Sequence, residues 1–241
     1  MRSLSLVVLV SAILTGCAST PPSADGTWIN QTAIDAAAAS GNLREALLAY
    51  GPNLEWQVST AQQHATLSNG FEQAEGDLHV QPDGRLRVDF YGDYAEWLSL
   101  DGNELLQAQS PTAPEQRFSH VEGPDLALGT RFEHALYSAY LGGKWTIEAG
   151  EGQGGLVLFN PYGSVQGLPG AQQYALCLAG DCAAMSGEND SIWLQLGEQG
   201  QTWLFEHNGD QLRIFQAVNR AAIDEMPDYS KGPQRWLLRR H

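Results

Sequence analysis

The chain has 241 residues, of which 43% are hydrophobic, 26 are glycine and only 17% are charged, enough apolar material for one large core or two small ones. That composition excludes a disordered or fibrous protein. Thirteen Lys and Arg against 28 Asp and Glu give a formal charge of −15, so the folded part repels polyphosphates, and nucleic acid is excluded as a partner.

Met1-Arg2 gives a positive start, and Leu4 to Leu14 form an apolar run broken only by Ser5 and Ser11. The run is too short for a permanent membrane span. It ends in Leu14-Thr15-Gly16-Cys17, which resembles the lipobox of bacterial lipoprotein signal peptides. The resemblance implies that residues 1–16 are a signal peptide, and that the Cys17 sulfur carries diacylglycerol and its new amino group is acylated. At about 0.8 kcal/mol per buried methylene, several acyl chains make a lasting membrane anchor. The alternative is an ordinary secretory signal followed by Cys through coincidence. Ala18-Ser19 lacks the Asp that retains lipoproteins at the inner membrane, so the resemblance places the protein at the outer membrane, lipid-anchored and facing the periplasm. Residues 17–25, with Ser19, Thr20, Pro21, Pro22 and Ser23, read as an extended lipidated tether.

Gln31 to Ala39 reads as a short helix, with Thr32 and Asp35 placed like a capping box. A second helix starts at Asn42, with Glu45 at the third helical position, carries Leu43, Ala46, Leu47 and Tyr50 on one stripe, and stops at Gly51-Pro52. Turn signals at Asn69-Gly70, Asp83-Gly84, Gly154-Gly155, Pro161-Tyr162-Gly163 and Gly167 to Gly170 then separate runs such as Leu86 to Tyr91 and Leu156 to Phe159, as in antiparallel β structure. Pro111, Pro114 and Pro124 place a boundary within Ser110 to Gly129, dividing the chain into units at 26–125 and 126–241. A third helix is predicted with Thr130 as cap, paired with Glu133, and with Phe132, Ala135, Leu136 and Ala139 as its stripe before Gly142-Gly143 ends it. In both units a Trp follows the first stripe residue by thirteen positions, Leu43 to Trp56 and Phe132 to Trp145. The hairpin opened by Trp97 around Asp101-Gly102 resembles that opened by Trp203 around Asn208-Gly209. The order points to duplication, against two merely similar meanders.

With Cys17 lipidated, Cys177 and Cys182 remain, and in an oxidising envelope they read as a disulfide stapling a hairpin around Gly180-Asp181. A redox or metal role fits the C-x4-C spacing less well.

Gly26-Thr27-Trp28 and Gly143-Lys144-Trp145 each resemble the Gly-x-Trp that opens the first strand of lipocalins. The resemblance implies a late Arg packed over that Trp, for which Arg235 or Arg239 beside Trp236 is available, although a Thr-Asp-Tyr motif is lacking. The expected fold is mainly β: antiparallel lipocalin-like barrel or meander units, two in number, each preceded by a short helix.

No catalytic residue, metal ligand set or cofactor site is read. The His residues at 64, 79, 120, 134, 207 and 241 lack metal-site spacing, Gly163-Ser164-Val165-Gln166-Gly167 is not a nucleophile elbow, and no phosphate-cradling loop occurs. Acid pairs such as Glu72 with Glu75, Asp89 with Asp93, and Asp224 with Glu225 and Asp228 follow from composition and read as solvated surface. The tryptophans Trp56, Trp97, Trp145, Trp193, Trp203 and Trp236 are candidates for core plugs or for ligand-lining rings, with Tyr162, Tyr174 and Tyr229 nearby. Two functions follow. One is a non-catalytic interaction or structural module that docks to an envelope protein; the other is a lipocalin-like carrier of a small hydrophobic or amphipathic ligand. A filled interior favours the first and a hollow one the second.

Overall fold

The computed structural model describes residues 23–92, 94–111 and 113–241; the segment read as a signal peptide, Cys17 and Asp93 lie outside the described residues. Two eight-stranded antiparallel units follow one another. The first contains β1 (Gly26–Ile29), β2 (Glu55–Ser59), β3 (His64–Ser68), β4 (Gln73–Val80), β5 (Leu86–Asp89), β6 (Ala95–Asp101), β7 (Glu104–Gln107) and β8 (Gln116–Val121), ordered as a meander that closes on itself. Closure is made by β1, where Trp28 lies opposite Trp56 on one side and His120 on the other. The second contains β9 (Gly143–Gly150), β10 (Leu156–Phe159), β11 (Val165–Gln166), β12 (Ala171–Leu176), β13 (Asp190–Leu196), β14 (Gln199–Asn208), β15 (Gln211–Asn219) and β16 (Tyr229–Arg240), with β16 paired to β9. Its seam falls between β11 and β12, which meet at one bridge, Ser164 to Gln173, and a Tyr174 N–H to Gly163 carbonyl bond of 2.7 Å.

The expected mainly β architecture of two barrel units is therefore present. Within the region Ser110 to Gly129, β8 occupies Gln116–Val121 as a strand of the first sheet, and the connection to the second follows it. Side-chain alternation fills both interiors. Trp28, Trp56, Val58, Leu67, Leu78, Val88, Leu98, Leu105 and Phe118 pack inside the first barrel. Trp145, Ile147, Phe159, Leu194, Phe205, Ile214, Trp236 and Leu238 belong to the core of the second. Large inward side chains on alternate strand positions leave little room at this barrel size.

Helices α1 (Gln31–Ser40), α2 (Leu43–Ala49) and α3 (Thr130–Tyr140) join the second barrel's core through Ile34, Ala37, Leu43, Leu47, Phe132 and Leu136. The α2 start is as expected: Asn42 Oδ1 accepts from Glu45 N–H at 3.0 Å and its amide donates to the Glu45 carboxylate. The other two caps are corrected. For α1 the cap is Asn30, not a Thr32–Asp35 box; its Oδ1 accepts from Ala33 N–H at 3.1 Å while its amide donates to the Tyr50 and Asn53 carbonyls. At α3, Gly129 occupies the cap position and Thr130 makes no side-chain cap. A group distant in sequence does that work: Glu55 on β2 accepts the Phe132 N–H at 2.9 Å.

The second barrel reciprocates. Asp190 on β13 accepts from Leu43 N–H at 2.9 Å and from Arg44 N–H at 2.7 Å, so each unit supplies a carboxylate to a helix belonging to the other. Helix N-termini leave unpaired donors and a partial positive charge, which explains why carboxylates can be buried there. The Tyr140 hydroxyl bridges the same junction, donating to the Gly41 carbonyl at 2.8 Å.

Cys177 and Cys182 form a disulfide. It does not staple a hairpin neck: it ties the residue after β12 to the first turn of α4 (Gly180–Ser186), because the segment after the left-handed Gly180 coils before β13 begins.

Candidate functional site

All seven tryptophans lie on strands, but on different faces. Trp28, Trp56, Trp145, Trp203 and Trp236 are buried. Trp97 faces outward beneath Arg85, whose guanidinium sits 4.8 Å from the ring centre, and Trp193 is 39% exposed. Trp203 and Trp236 pack on each other at 5.2 Å. The two Gly-x-Trp indoles are held alike: Trp28 donates to the Ala24 carbonyl at 2.8 Å and Trp145 to the Leu141 carbonyl at 2.9 Å, each four residues back. The basic residue over Trp145 is Arg240 at 4.6 Å, rather than Arg235 or Arg239. Strand parity decides this, since Arg240 lies opposite Trp145 across the β16–β9 pair, while Arg239 reaches Glu148 and Asp210 and Arg235 reaches Glu151. Over Trp28 the corresponding ring is His120, at 4.8 Å.

Two open clefts stand out. The larger, about 650 Å³, lies at the second barrel's seam where α3, α4 and the β3–β4 turn of the first barrel converge. Phe71 enters from the first unit, Tyr162 from the β10–β11 turn and Trp193 from β13; all three are exposed, Tyr162 by 76%. Tyr137 and Tyr174 form its floor with rings 5.0 Å apart, and His134 meets the Tyr162 ring edge-on at 4.7 Å. The Tyr137 hydroxyl accepts the Leu176 N–H at 3.2 Å, so a side chain occupies part of the seam. Glu133 and Asp181 are its acidic lining, and among the described residues neither Lys nor Arg lines it. Burial pushes the Glu133 carboxyl above the usual range, and the nearby Glu55 charge adds to this. Burial lowers the His134 pKa, with the Arg131 charge contributing.

The second cleft, about 610 Å³, is the mouth of the first barrel. Phe90, Tyr91 and Tyr94 of the β5–β6 hairpin, Glu72 and Glu75 at the β3–β4 edge, and Asn53 before β2 line it. One layer deeper, the inward positions of β6 and β7 carry polar groups. Glu96 and Gln107 are buried; Gln107 Oε1 accepts from Trp56 Nε1 at 3.1 Å and from Asn53 Nδ2 at 3.0 Å. Tyr94 and Ser110 donate to Glu96 Oε1. Glu96 Oε2 and Gln107 Nε2 remain without partners.

The structure thus separates the tryptophans predicted as one class: Trp193 lines the seam cleft, Trp56 supports the barrel mouth from below, and Trp145, Trp203 and Trp236 are core. Sequence reasoning missed Phe71, Glu96 and Gln107, and read Glu133 only as a capping partner of Thr130. For Glu96 a signal existed, because it is in phase with Leu98 and Leu100 on an alternating strand, the inward parity for a carboxyl. Glu72 and Glu75, read as solvated surface, rim the mouth. Among the described residues, no group of three His, Cys, Asp or Glu side chains could hold a metal ion, and no helix is long and apolar enough to cross a membrane. Comparison with protein-family models, with curated proteins and with solved structures finds no match for this chain.

Proposed function

We propose that this protein is a lipid-anchored envelope module that works without catalysis, by docking a partner protein in the seam cleft. The observation carrying this reading is the cleft itself: Phe71, Tyr162 and Trp193 are exposed there together, although each unit has filled its interior with side chains. Exposed aromatic rings over a pocket are the usual anchors of a protein interface. Glu133 and Asp181, with no lining cation, select a segment with basic and aromatic side chains. The tether of residues 17–25 would hold the barrels clear of the bilayer, with Cys17 as the lipidated residue.

A fluorescent peptide alternating Arg and Phe, titrated into residues 23–241, should bind saturably and weaken at least tenfold in Phe71→Ala or Tyr162→Ala. A Glu–Phe peptide of the same length should bind at least tenfold more weakly. Equal binding of the two peptides, or no effect of either substitution, would overturn the docking reading. Anchoring is tested separately, since Cys17→Ser should abolish palmitate labelling and release the protein from membranes; persistent labelling would refute the lipobox assignment.

A further inference from the structure

We infer that the seam cleft takes its partner as an added β-strand: an extended segment with alternating basic and aromatic side chains pairs through its main chain with the open edge of β12. The inference rests on the docking reading and specifies its geometry, because it names the backbone groups that the partner meets.

The second barrel stops short of closure at this edge. β11 has only two residues, and beyond the bridge from Ser164 to Gln173 no strand pairs with the outer side of β12 among the described residues. The cause lies in the turn before β11. Gly163, at φ +81°, donates its N–H to the Asn160 carbonyl at 3.2 Å, inside its own turn. Its carbonyl therefore accepts the Tyr174 N–H at 2.7 Å, but it returns no donor to the Tyr174 carbonyl. The ladder ends at Tyr174, before β12 itself ends at Leu176.

Strand alternation decides which groups are left. The Cys177 N–H donates to the Ser191 carbonyl on β13 at 3.0 Å, whereas the Tyr174 and Leu176 N–H groups point the other way, into the seam. Leu176 meets a side chain there: its N–H donates to the Tyr137 hydroxyl at 3.2 Å, which stands where a neighbouring strand would place a carbonyl. Native edge strands are ordinarily blunted by charged residues, by proline or by a covering element, since their unpaired groups recruit other chains. β12 reads Ala-Gln-Gln-Tyr-Ala-Leu, with neither charge nor Pro, and the Tyr137 side chain is its cover.

The cleft gives an added strand room on both faces of this edge. Gln173 and Ala175, exposed on the outer face, line it together with Trp193, which lies opposite Ala175 across the β12–β13 pair. The buried positions Tyr174 and Leu176 line it from the other face, with Tyr137 beside them. Successive side chains of a strand laid here alternate between these two walls. Phe71 and Tyr162 offer further aromatic surface, and Glu133 and Asp181 attract the basic positions. Main-chain bonds to an exposed sheet edge give such a complex its affinity, and the walls select the alternate side chains.

The probe is the alternating Arg–Phe peptide in three forms: unmodified, N-methylated on the main chain at every Arg, and N-methylated at every Phe. Successive N–H groups of a strand point to opposite edges, so one methylated form loses its donors toward β12 and the other keeps them. Titrated into residues 23–241, one form should bind about tenfold more weakly than the parent peptide, and the other within about threefold of it. Tyr137→Phe leaves the Leu176 N–H without an acceptor until a peptide carbonyl takes it, so this variant should bind the parent peptide about threefold more tightly. Its melting temperature reports whether it folds; the methylated pair needs no variant and decides the question if it does not. Failure of the parent peptide to bind would refute the docking reading and this inference with it. Saturable binding of the parent with equal affinities for the two methylated forms, or with unchanged or weaker binding to folded Tyr137→Phe, would overturn strand pairing alone. Dimerisation of the protein in sedimentation, stronger in Tyr137→Phe, would assign the edge to a second copy and likewise overturn it.

Discussion

Removing the Asp190 carboxylate tests how the two units are joined. In Asp190→Ala, the Leu43 and Arg44 N–H groups at the start of α2 lose their acceptor. Leu43 is buried, so its orphaned N–H costs about 1–3 kcal/mol, while Arg44 is half-buried and water can replace its bond. The Tyr140 hydroxyl keeps the Gly41 carbonyl and adds no further orphan. Against the loss stands a gain. Burial raises the Asp190 pKa more than its hydrogen bonds lower it, so removing the charge relieves a desolvation cost. The balance is a loss of about 2 kcal/mol, at the upper end of the range for helix caps. For a chain of this size that lowers the melting temperature by roughly 4–8 °C. Asp190→Asn, which keeps one acceptor, should lose about half as much. Urea denaturation followed by tryptophan fluorescence and circular dichroism measures both, with Asp83→Ala as control: Asp83 is a surface residue paired to Arg85, and its loss should leave the denaturation midpoint nearly unchanged. If Asp190→Ala is no more costly than the control, the account of Asp190 as the cap of α2 is wrong.

His207 gives a pH dependence of calculable sign. Burial first, and the Arg240 charge second, lower its pKa to about 4, and it packs edge-on against Tyr140 at 4.7 Å. A histidine depressed in the fold binds fewer protons there than when unfolded, so stability falls as pH drops from about 6.5 to 4, by about 3 kcal/mol in all. His207→Phe should flatten this limb in denaturation curves at pH 7, 5.5 and 4, and an unchanged slope would show that His207 is not its source. Gly41, at φ +74° after α1, has the His207 carbonyl where a Cβ would go, so Gly41→Ala should cost more than 2 kcal/mol, whereas the same change at Gly84, which has open space, should cost about 1. Joint replacement of Cys177 and Cys182 by Ser should remove about 2 kcal/mol, as the loop is short, and a loss above 4 would mean that α4 unfolds with it.

The sequence by itself determined what depends on neighbours along the chain. Apolar alternation and glycine turns specified antiparallel meanders, Asn42 with Glu45 specified the start of α2, and two nearby cysteines specified their disulfide. The two Gly-x-Trp segments pointed to barrel-opening strands, which β1 and β9 are. Only the tertiary structure decided the rest. Arg240 rather than Arg235 or Arg239 covers Trp145 because strand register, not chain proximity, sets which side chain crosses the pair. Thr130 is idle as a cap because Glu55, 77 residues before Phe132 whose N–H it accepts, fills the same need. Phe71, Tyr162 and Trp193 share a cleft, and Glu96 and Gln107 share a floor, because barrel closure brings distant strands together. Each of these residues reads locally as an ordinary strand or turn position; burial, register and the missing partner become properties of a residue only when the chain has closed around it.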